Sequence, residues 1–298
     1  MSLPWRGPGP GRPDLPLPPD RMPLRRGGVW RKRWRYVAAF CDQLMLCAAR
    51  VQVGPLSQTF WAVWDRAERK MWERTKLLAP GARGEVWTEG SADDGLIHNG
   101  EDTAPLVRID GRHPEAGQVR AFLRVGEGEW VEAVCPTSER QYVWTRKRAD
   151  IPVECDVRIG ERRWRLEASG VEDQSAGYHP RHTVWSWSAG VGLGLDGRSV
   201  GWNLVSGIND PPQSSERAIW VAGKPFEPGQ VSFEGLEAIS FDDGARLRFA
   251  LEGERRTEGR LLVRYTYVQP FGRFTGTIPG GLELEHGLGV MEHHDARW

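Results

Sequence analysis

Short runs of alternating apolar and polar residues recur along this chain, separated by Gly, Pro, Asn and Asp at roughly 8–12-residue spacing. In the second half they fall at 153–159, 164–168, 217–221, 227–233, 236–241, 246–251, 260–268, 273–278 and 282–291. Gly160-Glu161 and Asp196-Gly197 read as tight turns. LRFALEG answered by GRLLVRYTYV predicts a hairpin across Glu254 to Glu258. In the first half, 119–125 and 129–135 alternate and predict a hairpin around Gly126-Glu127-Gly128. The mostly apolar stretch from Tyr36 to Val53 divides into two strands joined near Asp42-Gln43. No long amphipathic helix emerges, so the expected class is all-β, a sandwich or barrel.

One stretch carries more candidate chemistry than the rest: Asp173 to Asn209, DQSAGYHPRHTVWSWSAGVGLGLDGRSVGWNLVSGIN. Alternation sends Thr183, Trp185 and Trp187 to one face of a strand. The following run, 200–205, brings Trp202 and Asn203, and the resulting hairpin is expected to present a wall of aromatic rings. Such a wall beside a few hydrogen-bonding groups can hold an apolar ligand, and it can equally be ordinary core.

Bulk composition narrows the functional classes. The 40 basic and 40 acidic residues cancel, which argues against a nucleic-acid binder. The one strongly basic stretch, RRGGVWRKRWR at 25–35, reads as a solvated flank leading into an edge strand. The four cysteines form no C-x-x-C pair and read as buried free thiols. Residues 1–26, rich in Pro and Gly, are expected to be a disordered leader with no apolar signal segment. No window is long enough to span a membrane, so a cytoplasmic protein without stable membrane insertion is expected. A break near residues 136–150 suggests two units, 27–141 and 142–298.

Most catalytic patterns fail. GVGLG at 190–194 is followed by a turn rather than by a helix that could receive a phosphate. Glu292, His293, His294 and Asp295 lie in a strand, where adjacent side chains diverge, so no metal site is expected. Asp173 remains: an acid under tryptophan rings is poorly solvated and suited to giving a proton. Its alternative is a turn acid, bonded to backbone N–H groups or to Arg181. Neither reading calls for a cofactor.

Five segments resemble the bacterial family known as domain of unknown function 2804. They are YVWTRKRADIPVECDVRIG (142–160), VEDQSAGYHPRHTVWSWSAG (171–190), GRSVGWNLVSGINDP (197–211), YTYVQPFGRFTGTI (265–278) and GVMEHHDARW (289–298). More distantly, 146–187 is similar in layout to the AttH-like and carotenoid 1,2-hydratase proteins. That likeness implies two packed lipocalin-like barrels and a hydrophobic small-molecule partner, a lipid or isoprenoid, bound in a barrel cavity. It also implies Asp173 as general acid, with Tyr178 and His179 as groups that tune or relay the proton, and Trp185 and Trp187 as ligand-binding residues; the aromatic hairpin itself adds Trp202 and Asn203 to the ligand-binding set. The acid–His–Asn–Trp run of the hydratases is interrupted here by Pro180 and Arg181. Two readings follow from the resemblance: a binding protein for an apolar molecule, or a cofactor-independent hydratase or cyclase.

Overall fold

The computed structural model describes residues 3–8, 11–78, 84–89, 106–259 and 264–297. Every regular element among them is a β-strand, in two curled antiparallel sheets plus a small ribbon, Arg25–Arg26 with Val29–Trp30. The first sheet has eleven strands. Its path runs Lys70–Leu78, Leu56–Asp65, Leu44–Val53, Lys32–Phe40, Arg162–Gly177, Gln141–Ile159, Gly117–Val125, Leu106–His113 and Val86–Glu89. Val131–Ser138 and Trp5–Gly7 pair beside the start of Gln141–Ile159. The sheet curls until its ends approach, where Arg74 and Lys76 reach Glu85 at 3.4 and 3.7 Å. The second sheet, of nine strands, is built from residues 182–259, 264–278 and 282–297.

The middle strands of the first sheet are buried on both faces, which is why 36–49 reads as a nearly unbroken apolar run. Val37, Ala39, Leu46, Ala48, Trp61 and Val63 point into the first barrel and fill its lumen with Ile109, Leu123 and Val157. Their neighbours Tyr36, Ala38, Phe40, Cys47, Ala49, Phe60 and Ala62 point outward and pack on Trp187, Val205, Phe271 and Val290 of the second sheet. The second lumen is filled by Trp202, Leu204, Ile239, Leu247 and Phe274. The two barrels therefore meet along a shared apolar interface.

A bulge divides the long strand Gln141–Ile159. Asp150, at φ 58°, interrupts pairing between Ala149 and Ile151. Before it, the odd-numbered Ala149 belongs to the inter-barrel core. After it, the odd-numbered Ile151, Val153, Cys155, Val157 and Ile159 face the lumen. One extra residue has exchanged the faces. On the second barrel, Gly201 sits directly against Ala149 and Asp150, and a Cβ there would meet the Asp150 backbone nitrogen at 2.7 Å.

Several expectations are corrected by the pairing. The change of sheet falls between Gly177 and His182, because 142–177 pairs with Lys32–Phe40, Gly117–Val125 and Val131–Ser138 of the first sheet. Residues 117–125 and 131–138 form no hairpin with each other but lie end to end along one neighbour, Gln141–Ile159. Residues 254–258 are paired strand, facing 266–270, rather than a turn. The basic stretch does not lead to an edge: Lys32, Arg33 and Arg35 are buried in a central strand, with Arg35 on Glu172 at 2.7 Å. Described parts of the expected leader are packed too. Trp5–Gly7 adds a short strand, and Leu17 and Met22 are buried with Tyr142, Trp144 and Tyr178. The Tyr142 and Tyr178 hydroxyls donate to the carbonyls of Pro16 and Pro23 at 2.9 and 2.7 Å, so tyrosines satisfy a backbone that proline cannot pair in a sheet.

Candidate functional site: a cavity between the barrels

A cavity of about 530 Å³ opens between the two sheets. Its walls come from alternate residues of facing strands. Trp34 and Tyr36, Ala49 and Val51, and Phe60 and Thr75 face it from the first sheet, with Lys147 and Asp173. Trp185 and Trp187, Tyr265 and Tyr267, Glu292 and His294, and Arg255 face it from the second. Size and lining suit a small ligand with a large apolar body. The expected location inside one barrel is thus corrected: both lumens hold packed core, and the cavity lies between them.

Rings dominate one wall. His179, Trp34 and Trp185 stack in sequence, with centroids 5.2 and 6.4 Å apart, and Trp185 continues onto His294 at 4.1 Å. Trp187 meets Tyr36 edge to face at 5.4 Å. Register explains the positions of the expected tryptophans. Trp187 pairs with Val205 and Ala189 with Asn203, so Asn203 shares the Trp187 face and accepts the Trp187 Nε1–H at 2.8 Å. Asn203 supports the wall from behind, its Nδ2 donating to the Glu216 carbonyl at 3.0 Å. Trp202 pairs with Gly190 and points into the second lumen, donating to Ser188 Oγ at 3.1 Å, so it is no part of the cavity. Gly190 is required there: a Cβ would run into the Trp202 ring.

Asp173 faces the cavity and is only 8% exposed, but it is ion-paired. Lys147 Nζ sits 2.5 Å from its Oδ1, and Trp34 Nε1 donates to its Oδ2 at 3.3 Å. The same ammonium lies 3.3 Å from Glu216 Oε1. Burial works against the charge of Lys147, yet its two carboxylate partners outweigh that and raise its pKa. One cation serves two acids, and burial together with Asp173 holds Glu216 above the usual carboxylate range. Asp173 is thus tied to a lysine and an indole N–H, and Arg181, exposed, is not its partner.

Two further expectations move away from the cavity. Tyr178 lies under the N-terminal segment, its hydroxyl bonded to Pro23 and its pKa pushed up by burial to about 12. His179 stands behind Trp34, buried; desolvation, with Lys32 and Lys147 nearby, pushes its pKa down to about 3 and keeps it neutral. Neither touches the space a ligand would fill.

The desolvated acid is Glu292. It pairs in register with Trp187, lines the cavity, and is 7% exposed. Tyr267 Oη and Gln269 Nε2 donate to its Oε2 at 2.7 and 3.1 Å, and Trp185 Nε1 to its Oε1 at 2.9 Å. Burial pushes its pKa up to about 7 despite the Tyr267 and Trp185 bonds, and the Asp173 charge adds to the rise. Sequence reasoning met Glu292 only inside the dismissed metal cluster; His293, beside it, is exposed on the other face, as alternation requires. The available signal was a shared parity, with Tyr267 and Gln269 on one strand and Glu292 and His294 on the next.

Arg255 completes the floor. It is 1% exposed, its guanidinium lying over Phe60 at 4.1 Å and Tyr267 at 4.9 Å. Its Nε reaches Glu73 at 3.1 Å and one Nη reaches Thr75 Oγ1 at 3.0 Å. The remaining Nη and Asn209 Oδ1 are buried in the cavity wall without hydrogen-bond partners among the described residues, and the Tyr36 hydroxyl lies against Cys47.

Among the described residues no group of three or more potential ligands could hold a metal ion, and no helix is long and apolar enough to cross a membrane. No curated protein matches the chain in sequence. Among solved structures it is similar to kievitone hydratase from Nectria haematococca, with TM-score 0.58 and 10% identity over 88% of each chain. It is also similar to an AttH-type protein from Nitrosomonas europaea, with TM-score 0.46 and 14% identity over 94% of this chain and 98% of that one. The hydratase likeness carries the double lipocalin-like architecture, two curled β-barrels side by side. In sequence, the profile of domain of unknown function 2804 matches residues 19–298, covering both barrels, and the chain belongs to that family.

Proposed function

We propose that the inter-barrel cavity binds an apolar, unsaturated small molecule of isoprenoid character, and that Glu292 gives it a proton. The observation that carries this reading is a carboxyl, that of Glu292, desolvated and near pKa 7, facing an aromatic wall. A carboxyl with that pKa is substantially protonated at neutral pH and still acidic enough to transfer its proton. Protonating an alkene leaves a carbocation, and the faces of Trp185, Trp187 and Tyr267 would stabilise it without offering a nucleophile. Asp173 and Glu216, both on the Lys147 ammonium, bring two further carboxyl groups to the same cavity. Capture of the cation by water gives hydration, and capture by a second double bond gives a cyclised cation; in each case loss of a proton, back to the Glu292 carboxylate, yields the neutral product. No cofactor is required for either.

The test is deuterium incorporation into isoprenoid alkenes incubated with the protein in heavy water, which reports protonation whatever the product. Wild type is expected to label its substrate, and Glu292→Gln to lose about 10²–10⁴-fold in rate. Asp173→Asn should retain more activity than Glu292→Gln. Equal labelling by wild type and Glu292→Gln refutes the acid. A binding-only protein is the second reading, favoured by the tryptophans on the wall. It would show fluorescence quenching on titration with the same compounds and no label.

A further inference from the structure

The cavity is apolar in area but not in demand. A buried donor or acceptor left without a partner costs about 1–3 kcal/mol, more when charged, so folded proteins rarely leave one aimed into a binding space. One such group lies here. Arg255 is placed over Phe60 at 4.1 Å and spends Nε on Glu73 and one Nη on Thr75, leaving the other Nη without a partner among the described residues. It is more than nine-tenths buried and lines the cavity. A guanidinium N–H donates, and what satisfies it is an oxygen acceptor. A charged donor favours an ionised one.

We propose that the natural ligand carries an ionised oxygen group, a carboxylate or an enolate, seated on Arg255 while its hydrocarbon part runs along Trp185 and Trp187. This rests on the reading of the cavity as a site for an apolar molecule and adds the polarity of one end. The arrangement also sets direction. The head group is anchored on the floor beside Tyr267, which bonds Glu292, so the double bond nearest the head is the one brought to the acid. The ligand is therefore an amphiphile held by its head rather than a free hydrocarbon.

A matched series tests this: farnesoic acid, farnesol and farnesene, one chain ending in carboxylate, alcohol or hydrocarbon, titrated by tryptophan quenching at pH 8. Wild type is expected to bind the acid roughly 10- to 100-fold more tightly than the hydrocarbon, as one charge-assisted bond predicts. Arg255→Met should abolish that preference; if that variant does not fold, Arg255→Lys, which keeps a charge but loses the planar guanidinium, should reduce it several-fold. Equal affinities of wild type for acid and hydrocarbon, or a preference unchanged in whichever variant folds, overturn the head-group proposal and leave the apolar site standing. Failure of every member to bind overturns the apolar site itself, and with it this proposal.

Discussion

Glu292→Gln has a consequence for stability that can be worked out without knowing the ligand. In the unfolded chain this carboxyl titrates near 4.5, and in the fold near 7. Its folded pKa is raised, so its stabilising contribution is full below pH 4.5 and is lost as pH rises through 7. A shift of this size corresponds to roughly 3 kcal/mol, of which about 2.5 kcal/mol falls between pH 5 and pH 8. Glutamine stays neutral throughout and has no such dependence. It does disturb the three donors that now converge on Glu292, from Tyr267, Gln269 and Trp185, at a cost of about 1–2 kcal/mol that is indifferent to pH. The variant should therefore be less stable than wild type at pH 5 and should equal or exceed it at pH 8. Urea denaturation of both proteins at several pH values gives the difference directly, because the other titrating groups largely cancel. Parallel curves, with a constant offset from pH 5 to pH 8, would mean that Glu292 is ionised throughout and would remove the ground for naming it the acid.

Lys147→Met should be the most damaging substitution at the cavity. It strands Asp173 and Glu216 as buried carboxylates, a loss of about 3–5 kcal/mol that denaturant midpoints would register and that lowering the pH should partly reverse. Gly190→Ala forces a methyl into the Trp202 ring; about 1–3 kcal/mol should be lost, with a changed near-UV signal from a tryptophan remote from the cavity. Tyr178→Phe unties Pro23, so limited proteolysis should cut within 11–26 sooner, while ligand titrations remain those of wild type.

Much of the strand pattern could be read directly from residue order, because alternation and turn residues are local. The hairpins across Gly160 and Asp196-Gly197 form where their glycines, at φ +58° and +80°, allow them. Pairing was harder wherever the partner is distant. Residues 119–125 and 131–135 are strands, but their common neighbour is a 19-residue strand whose length no local signal announces. The candidate site divides in the same way. Parity correctly united Trp185 with Trp187, while the side taken by Trp202 depended on a register that single-strand alternation does not contain. Asp173 was legible as an inward acid, but its counter-ion, Lys147, is 26 residues upstream on the paired strand. Glu292 was the costliest omission: desolvation belongs to a three-dimensional enclosure, and the letters MEHHD are as compatible with a wet strand as with a dry one.

The bulge at Asp150 makes Gln141–Ile159 a shared beam. On one side of it Lys147 holds the charge of the cavity, and on the other Val153 to Ile159 line the first lumen. Losing that one residue would restore simple alternation and drive one of the two sets onto the wrong side, so length here is as constrained as identity. Gly201 of the other barrel rests on the same spot, where no side chain would fit between the two backbones. A chain of this design can vary its loops freely, yet its insertions and deletions should avoid the few residues around 150, where the timing of two barrels is kept.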